Sequence, residues 1–199
     1  MLWTPSSVLT MLSPGFSRMQ NEIDILRDVS EKLTSASIAF MLTGSVALSY
    51  YATPRMTRDI DIVLAVDRGH TEKISNLFGT DYYVSAEAVT DAVQRKSMFN
   101  IIHFDSVIKV DFIVLKDTPF AMAAFERRRE LVLGSFQTTI ISREDLILSK
   151  LDWAKDSGSE MQLRDVRSLL AASCDLEYLR HWAEALSLRE TLESLLKVS

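Results

Sequence analysis

LTGSVALSYYATPRMTRDIDIVL, Leu42 to Leu64, decides how the rest of the chain is read. A Gly-Ser pair, Gly44-Ser45, ends one short apolar run, and Asp59 and Asp61 punctuate the next. Ile38 to Leu42 is short, apolar and partly β-branched. It predicts a buried strand that turns tightly at Thr43-Gly44-Ser45 into a helix over about Val46 to Tyr51, closed by Pro54. Ile60 to Val66 predicts the following strand. Side chains alternate along a strand, so Asp59 and Asp61 share one face and Ile60, Ile62 and Leu64 the other.

Upstream, Phe16, Met19, Ile23, Leu26, Val29 and Leu33 recur at three- and four-residue steps, which predicts an amphipathic helix from Phe16 to about Thr34 lying on a sheet. Downstream, Gly69 to Phe78 and Ala86 to Arg95 read as helices. Met98 to Phe104 and Val107 to Leu115 read as a strand hairpin about the turn-prone Asp105-Ser106. Within VIKVDFIVL, Lys109 and Asp111 share a face opposite Val110, Phe112 and Val114, and a charge in so apolar a strand is costly without a partner. A helix near Phe120 to Arg129 carries Arg127, Arg128 and Arg129, read as a solvated helix face rather than a phosphate grip. Leu131 to Ile141 supplies one or two more strands.

From Ser142 the pattern turns helical. Ser142 and Asp145 make a capping box for a helix over Glu144 to Ala154, and Ser157-Gly158-Ser159 breaks it. Met161 to Ala172 and a pair of helices between Leu176 and Val198 complete the chain, with Trp153 and Trp182 read as core. The expected fold is α/β (α+β), a mixed sheet flanked by helices with a helical C-terminal part. The expected division is a loose arm at 1–15, a core at 16–141 and a helical subdomain at 142–199.

Of 199 residues, 47% are hydrophobic and 25% charged, the balance of an ordinary globular chain. The 22 basic and 27 acidic residues leave a net charge of -5, so a nucleic-acid substrate needs a local patch rather than an overall positive field. Cys174 is the only cysteine, which rules out an intramolecular disulfide and a cysteine zinc site and fits a reducing cytoplasm. No apolar stretch reaches the roughly 18 residues of a membrane span, so no membrane partner is expected. The stretch MLWTPSSVLTMLSPGFSRM lacks the charged leader of a secretion signal and reads as an arm. His70, His103 and His181 are scattered without metal spacing.

Asp59 and Asp61, with Asp111 on a later strand, offer hard oxygen ligands for a pair of divalent cations, which two-metal phosphoryl chemistry holds roughly 3.5 to 4 Å apart. Oxygen ligands without nearby His or Cys suit Mg²⁺ or Mn²⁺. Gly44 allows close backbone approach, and the Ser45 hydroxyl and the amides opening the next helix suit terminal phosphates. No Gly-Lys-Ser/Thr sequence occurs, so this is not a P-loop.

Taken together, Gly44-Ser45, a short helix, PRMTRDIDI and Lys109-Val110-Asp111 resemble the nucleotidyltransferase superfamily with the DNA polymerase β-like catalytic core. The form GSVALSYYATPRMTRDIDIVL looks most like the minimal bacterial nucleotidyltransferases, including the AbiEii kind of toxin. The resemblance covers about Ile38 to Leu115. It implies transfer of a nucleoside monophosphate from an NTP such as ATP to an acceptor hydroxyl, with release of pyrophosphate. In that branch a lysine and an Arg-Asp segment lie on successive later helices, here Lys150 in EDLILSKL and Arg164-Asp165 in LRDVRSLL. Lys150 would meet the triphosphate, with Asp165 orienting Lys150 or the acceptor; alternatively both are surface charges in a helical lattice. Lys109 balances the carboxylates, and Arg58 either contacts nucleotide or pairs at the surface. The implied acceptors are an RNA end such as that of tRNA, a protein side chain, or a small molecule such as an aminoglycoside. The reading from another class is a non-catalytic regulatory or partner-binding domain of a toxin-antitoxin pair, with a cognate antitoxin as its partner.

Overall fold

The computed structural model describes residues 14–52 and 59–197, with side chains described from residue 22 onward. Along the chain run α1 (Pro14–Ser35), β1 (Phe40–Thr43), α2 (Gly44–Tyr51), β2 (Asp59–Leu64), a single 3-10 turn (Arg68–His70), α3 (Thr71–Phe78) and β3 (Tyr82–Val84). There follow α4 (Ala86–Arg95), β4 (Met98–His103), β5 (Lys109–Val114), α5 (Pro119–Glu126), β6 (Arg129–Leu133) and β7 (Phe136–Ile140). Four helices close the chain: α6 (Arg143–Ser157), α7 (Glu160–Leu170), α8 (Leu176–Ala185) and α9 (Arg189–Leu196).

The strands form one mixed sheet in the order β3-β4-β5-β2-β1-β7-β6. β2 pairs in parallel with β5 and antiparallel with β1, while β1 pairs in parallel with β7. Phe40 to Thr43 is buried at every position because β1 lies between β2 and β7. β2 alternates, with Ile60, Ile62 and Leu64 in the core and Asp59, Asp61 and Val63 half-buried on the other side. This is the two-residue rhythm expected of a strand with one face in the core. β4 and β5 form the expected hairpin.

Leu26, Val29 and Leu33 pack α1 onto β7, where the Ser30 and Thr138 hydroxyls meet at 3.0 Å. Ile23, which the periodicity puts on the core face, is 43% exposed, and Ile25 is buried in its place. Ser85, Thr118 and Ser142 accept backbone amides at the starts of α4, α5 and α6, satisfying donors that the helices leave open. The buried apolar side chains form one cluster that runs from Ile25 through the sheet to Leu195.

Three sequence readings need correction. Tyr82 to Val84 is a strand that was not expected; it is three residues long and is held as an edge by pairing with β4. The helix expected to continue to Arg129 ends at Glu126. Arg129 opens β6, and Arg127, exposed as expected but beyond the helix, pairs with Asp145 at 3.3 Å and stacks 3.8 Å from the Tyr178 ring. Trp153, expected in the core, is 61% exposed, whereas Trp182 packs on Phe120 with ring centres 5.4 Å apart.

Candidate active site

The β1–α2 turn brings Gly44 under Asp61. Gly44 has φ +63, a left-handed conformation that a side chain strains. A Cβ there would stand 1.9 Å from Asp61 Oδ2, so the absent side chain is what leaves space for that carboxylate. The Ser45 backbone amide donates to Asp61. Ser45 itself is buried, and its carbonyl accepts from the Ser49 hydroxyl at 3.0 Å.

Strand register supplies the rest. Thr43 pairs with Asp61 and Asp61 with Asp111, while Asp59 pairs with Lys109. The two strands of a parallel pair lie roughly 4.8 Å apart, so the three carboxylates from β2 and β5 occupy one patch in the middle of the sheet. On β4, Asn100 is in register with Asp111 and extends the row. Asn100 was not singled out from sequence, yet a hairpin centred on Asp105 and Ser106 already puts it opposite Asp111.

Asp111 is 6% exposed. Its Oδ2 accepts from Lys109 Nζ at 2.8 Å, while its Oδ1 is buried without a hydrogen-bond partner. The Lys109 ammonium also lies 3.5 Å from Asp59 Oδ2. The hydrogen bond to Asp111 raises the Lys109 pKa against the opposing effect of burial. Asp61 is pushed above the usual carboxylate range, first by burial and then by the charge of Asp111, with Asp59 adding to the shift. The Ser45 amide and the Lys150 ammonium pull the other way. Concentrated negative charge of this kind is characteristic of sites that await a cation or a proton.

The second half comes from the C-terminal helices. α2 packs on α6 and α7. Lys150 on α6 is 5% exposed and Asp165 on α7 6%, so neither is a surface charge. Their Nζ–Oδ2 distance is 2.8 Å, and Gln162 Oε1 accepts from the same ammonium at 3.0 Å. Gln162 was also missed by sequence reasoning; its place one turn before Asp165 on α7 carries no motif. Arg164 points away and makes a weak contact with Glu160 at 4.0 Å, with both side chains largely exposed. Arg58 lies outside the described residues.

Among the described residues no three His, Cys, Asp or Glu side chains are gathered into a ready cation cage. The donor set nevertheless suits a hard divalent ion. It is all carboxylate oxygen, it includes the buried Asp111 Oδ1 without a partner, and Gly44 keeps the space beside Asp61 open.

No family model and no curated relative matches the chain. Solved structures do. An antigenic nucleotidyltransferase-like protein from Paracoccidioides brasiliensis is 20% identical, covering 89% of this chain and 93% of that one at a TM-score of 0.53. The antibiotic-resistance factor ANT(2'')-Ia, in a solution structure, is 14% identical over 90% of this chain and 95% of its own, at a TM-score of 0.57. A crystal structure of ANT(2'')-Ia with adenylyl-2''-tobramycin gives 14% identity, 85% and 99% coverage, and a TM-score of 0.59. The chain therefore has the fold of the nucleotidyltransferase superfamily.

Proposed function

We propose that this protein is a nucleotidyltransferase that moves a nucleoside monophosphate from an NTP to an acceptor hydroxyl and releases pyrophosphate. The observation that carries the reading is the register of Asp61 on Asp111 across parallel β2 and β5, with Asp59 on the same face of β2. Asp59, Asp61 and Asp111 would hold Mg²⁺ or Mn²⁺, which would supply charge neutralisation at the phosphates and activation of the attacking hydroxyl. Gly44 keeps the backbone clear of Asp61, and the Ser45 amide fixes that carboxylate in place. Lys150, held by Asp165 and Gln162, is a rigid cation for the triphosphate. A buried lysine with two fixed acceptors needs no reorganisation when charge develops on the leaving pyrophosphate.

For the acceptor, a small hydroxylated molecule has the best support. The net charge of -5 favours a neutral or cationic substrate over a polyanion, and the fold likeness extends to a protein solved with an adenylylated aminoglycoside. A second reading is a regulatory or partner-binding domain, such as one half of a toxin-antitoxin pair. It draws support from Lys109, which already neutralises part of the carboxylate patch.

Incubating the protein with each α-labelled NTP, Mg²⁺ or Mn²⁺, and separate pools of small metabolites and antibiotics, RNA, and protein distinguishes these readings. Label in the small-molecule pool, abolished by Asp59→Ala, is the expected result. Label in RNA or protein would correct the acceptor. Tight NTP binding without pyrophosphate release in any pool would favour the regulatory reading.

A further inference from the structure

We propose that Lys109 is a displaceable internal cation that occupies the carboxylate patch until a divalent metal takes its place, so that metal loading requires the lysine to swing out. This deepens the metal-dependent reading above and rests on it. Lys109 and Asp111 are two apart on β5 and therefore on the same face. The ammonium bonds Asp111 Oδ2 at 2.8 Å and reaches Asp59 Oδ2 at 3.5 Å. It thus spans two of the three carboxylates, on two strands. Asp111 is 6% exposed, and a dication bound to this carboxylate and to Asp59 would stand beside the Lys109 ammonium, whose like charge opposes it.

The lysine is free to leave in a way Lys150 is not. The Lys109 side chain is 36% exposed and the Lys150 side chain 6%, and Lys150 is clamped by Gln162 as well as Asp165. The ammonium reaches water although Asp111 does not, so the lysine can exchange its carboxylate contacts for solvent while the carboxylates gain a doubly charged partner. The lysine contact offsets part of the patch's charge without metal and gives way to the stronger attraction of a dication. The arrangement offsets part of the repulsion among the three carboxylates and delays metal entry until cation concentration suffices.

The test needs no turnover. Mn²⁺ binding is followed by electron paramagnetic resonance for the wild type, Lys109→Met, Lys109→Gln and Asp111→Asn, with thermal melts in chelator to establish folding. In parallel, lysine side chains labelled with ¹³C at Cε are followed by NMR as Mg²⁺ is added, the Lys109 signal being identified by its loss in Lys109→Met. Both lysine variants should bind Mn²⁺ about fivefold to tenfold more tightly than the wild type, and Asp111→Asn more weakly. The wild-type Lys109 signal should move to the position of a solvated lysine as Mg²⁺ saturates. If Mn²⁺ binds the wild type and the variants equally, or the Lys109 signal stays still while Mg²⁺ binds, the displacement idea is wrong and the metal reading stands. If no variant binds Mn²⁺ at all, both fall.

Discussion

A methyl group on Gly44 meets two obstacles, a φ of +63 and Asp61 Oδ2 at 1.9 Å, whereas Gly134, at φ +58, has nothing within 4 Å of its would-be Cβ. Gly134→Ala should therefore cost only the conformational strain of about 1 kcal/mol, and Gly44→Ala roughly 2–3 kcal/mol together with loss of activity. Urea unfolding of the two variants checks this, and equal losses would mean that Asp61 moves aside without cost. Asp61 itself is raised by burial and by Asp111 and Asp59, so in its range the folded state binds a proton that the unfolded chain has released. Stability must then fall as pH rises from the ordinary carboxylate range through the folded pKa, and stay lower above it. Asp61→Asn, which keeps an oxygen for the Ser45 amide, should melt higher than wild type at pH 7, with the gap closing as the pH drops toward 4. A variant that melts lower at pH 7 would contradict the strain assigned to this carboxylate. The Gly-Ser turn was legible because Gly44 ends an apolar run, and the shared face of Asp59 and Asp61 because side chains alternate along a strand. The Asp61 pairing with the Ser45 amide was not: it depends on how tightly the turn folds back on β2.

The helices that close the chain are pinned to the sheet by buried charges. Asp145, fully buried at the start of α6, accepts from the Ser142 hydroxyl at 2.5 Å and the Tyr178 hydroxyl at 2.6 Å and pairs with Arg127 from the α5–β6 link. Arg127→Ala removes that ion pair and the stacking on Tyr178; because the arginine is partly exposed, the loss should be about 2 kcal/mol in chemical denaturation. A change below about 0.5 kcal/mol would show that Tyr178 and Ser142 suffice for Asp145. Between α6 and α7, Lys150→Met removes the cation paired with the buried Asp165 and should cost roughly 3 kcal/mol, whereas Lys150→Met with Asp165→Leu should recover most of it. Both should be inactive if Lys150 serves the triphosphate; a double variant with normal activity would make the pair purely structural. From sequence, α4, the β4–β5 hairpin and the Ser142 cap could be placed because each has a local signal: apolar period, turn residues or a capping serine. β3 could not, since Tyr82 to Val84 is too short to show a period and exists only by pairing with β4. Lys150 was ambiguous because its burial depends on how α6 and α7 pack together. Trp153 was misread because large apolar character alone does not say which side of α6 meets the core.

At the scale of the whole molecule, one apolar cluster joins α1, the sheet and α6 to α9, so the carboxylates on the sheet and the lysine on α6 belong to one packed unit. The sequence already marked the strands that carry Asp59, Asp61 and Asp111. Their alignment across β2 and β5 is a property of the sheet, because register between strands some 50 residues apart is set by the packing of Ile60, Ile62, Val110 and Phe112. The solved neighbours are 14% to 20% identical to the chain, so the likeness to them is one of fold. The central claim is that the three aligned carboxylates are the centre of nucleotidyl transfer. Its most direct test is pyrophosphate release from Mg-NTP in the presence of the acceptor pool, measured for wild type and for Asp111→Asn at matched folding. The account predicts release by the wild type and a fall of at least about 100-fold in the variant. Release by Asp111→Asn at the wild-type rate would contradict it.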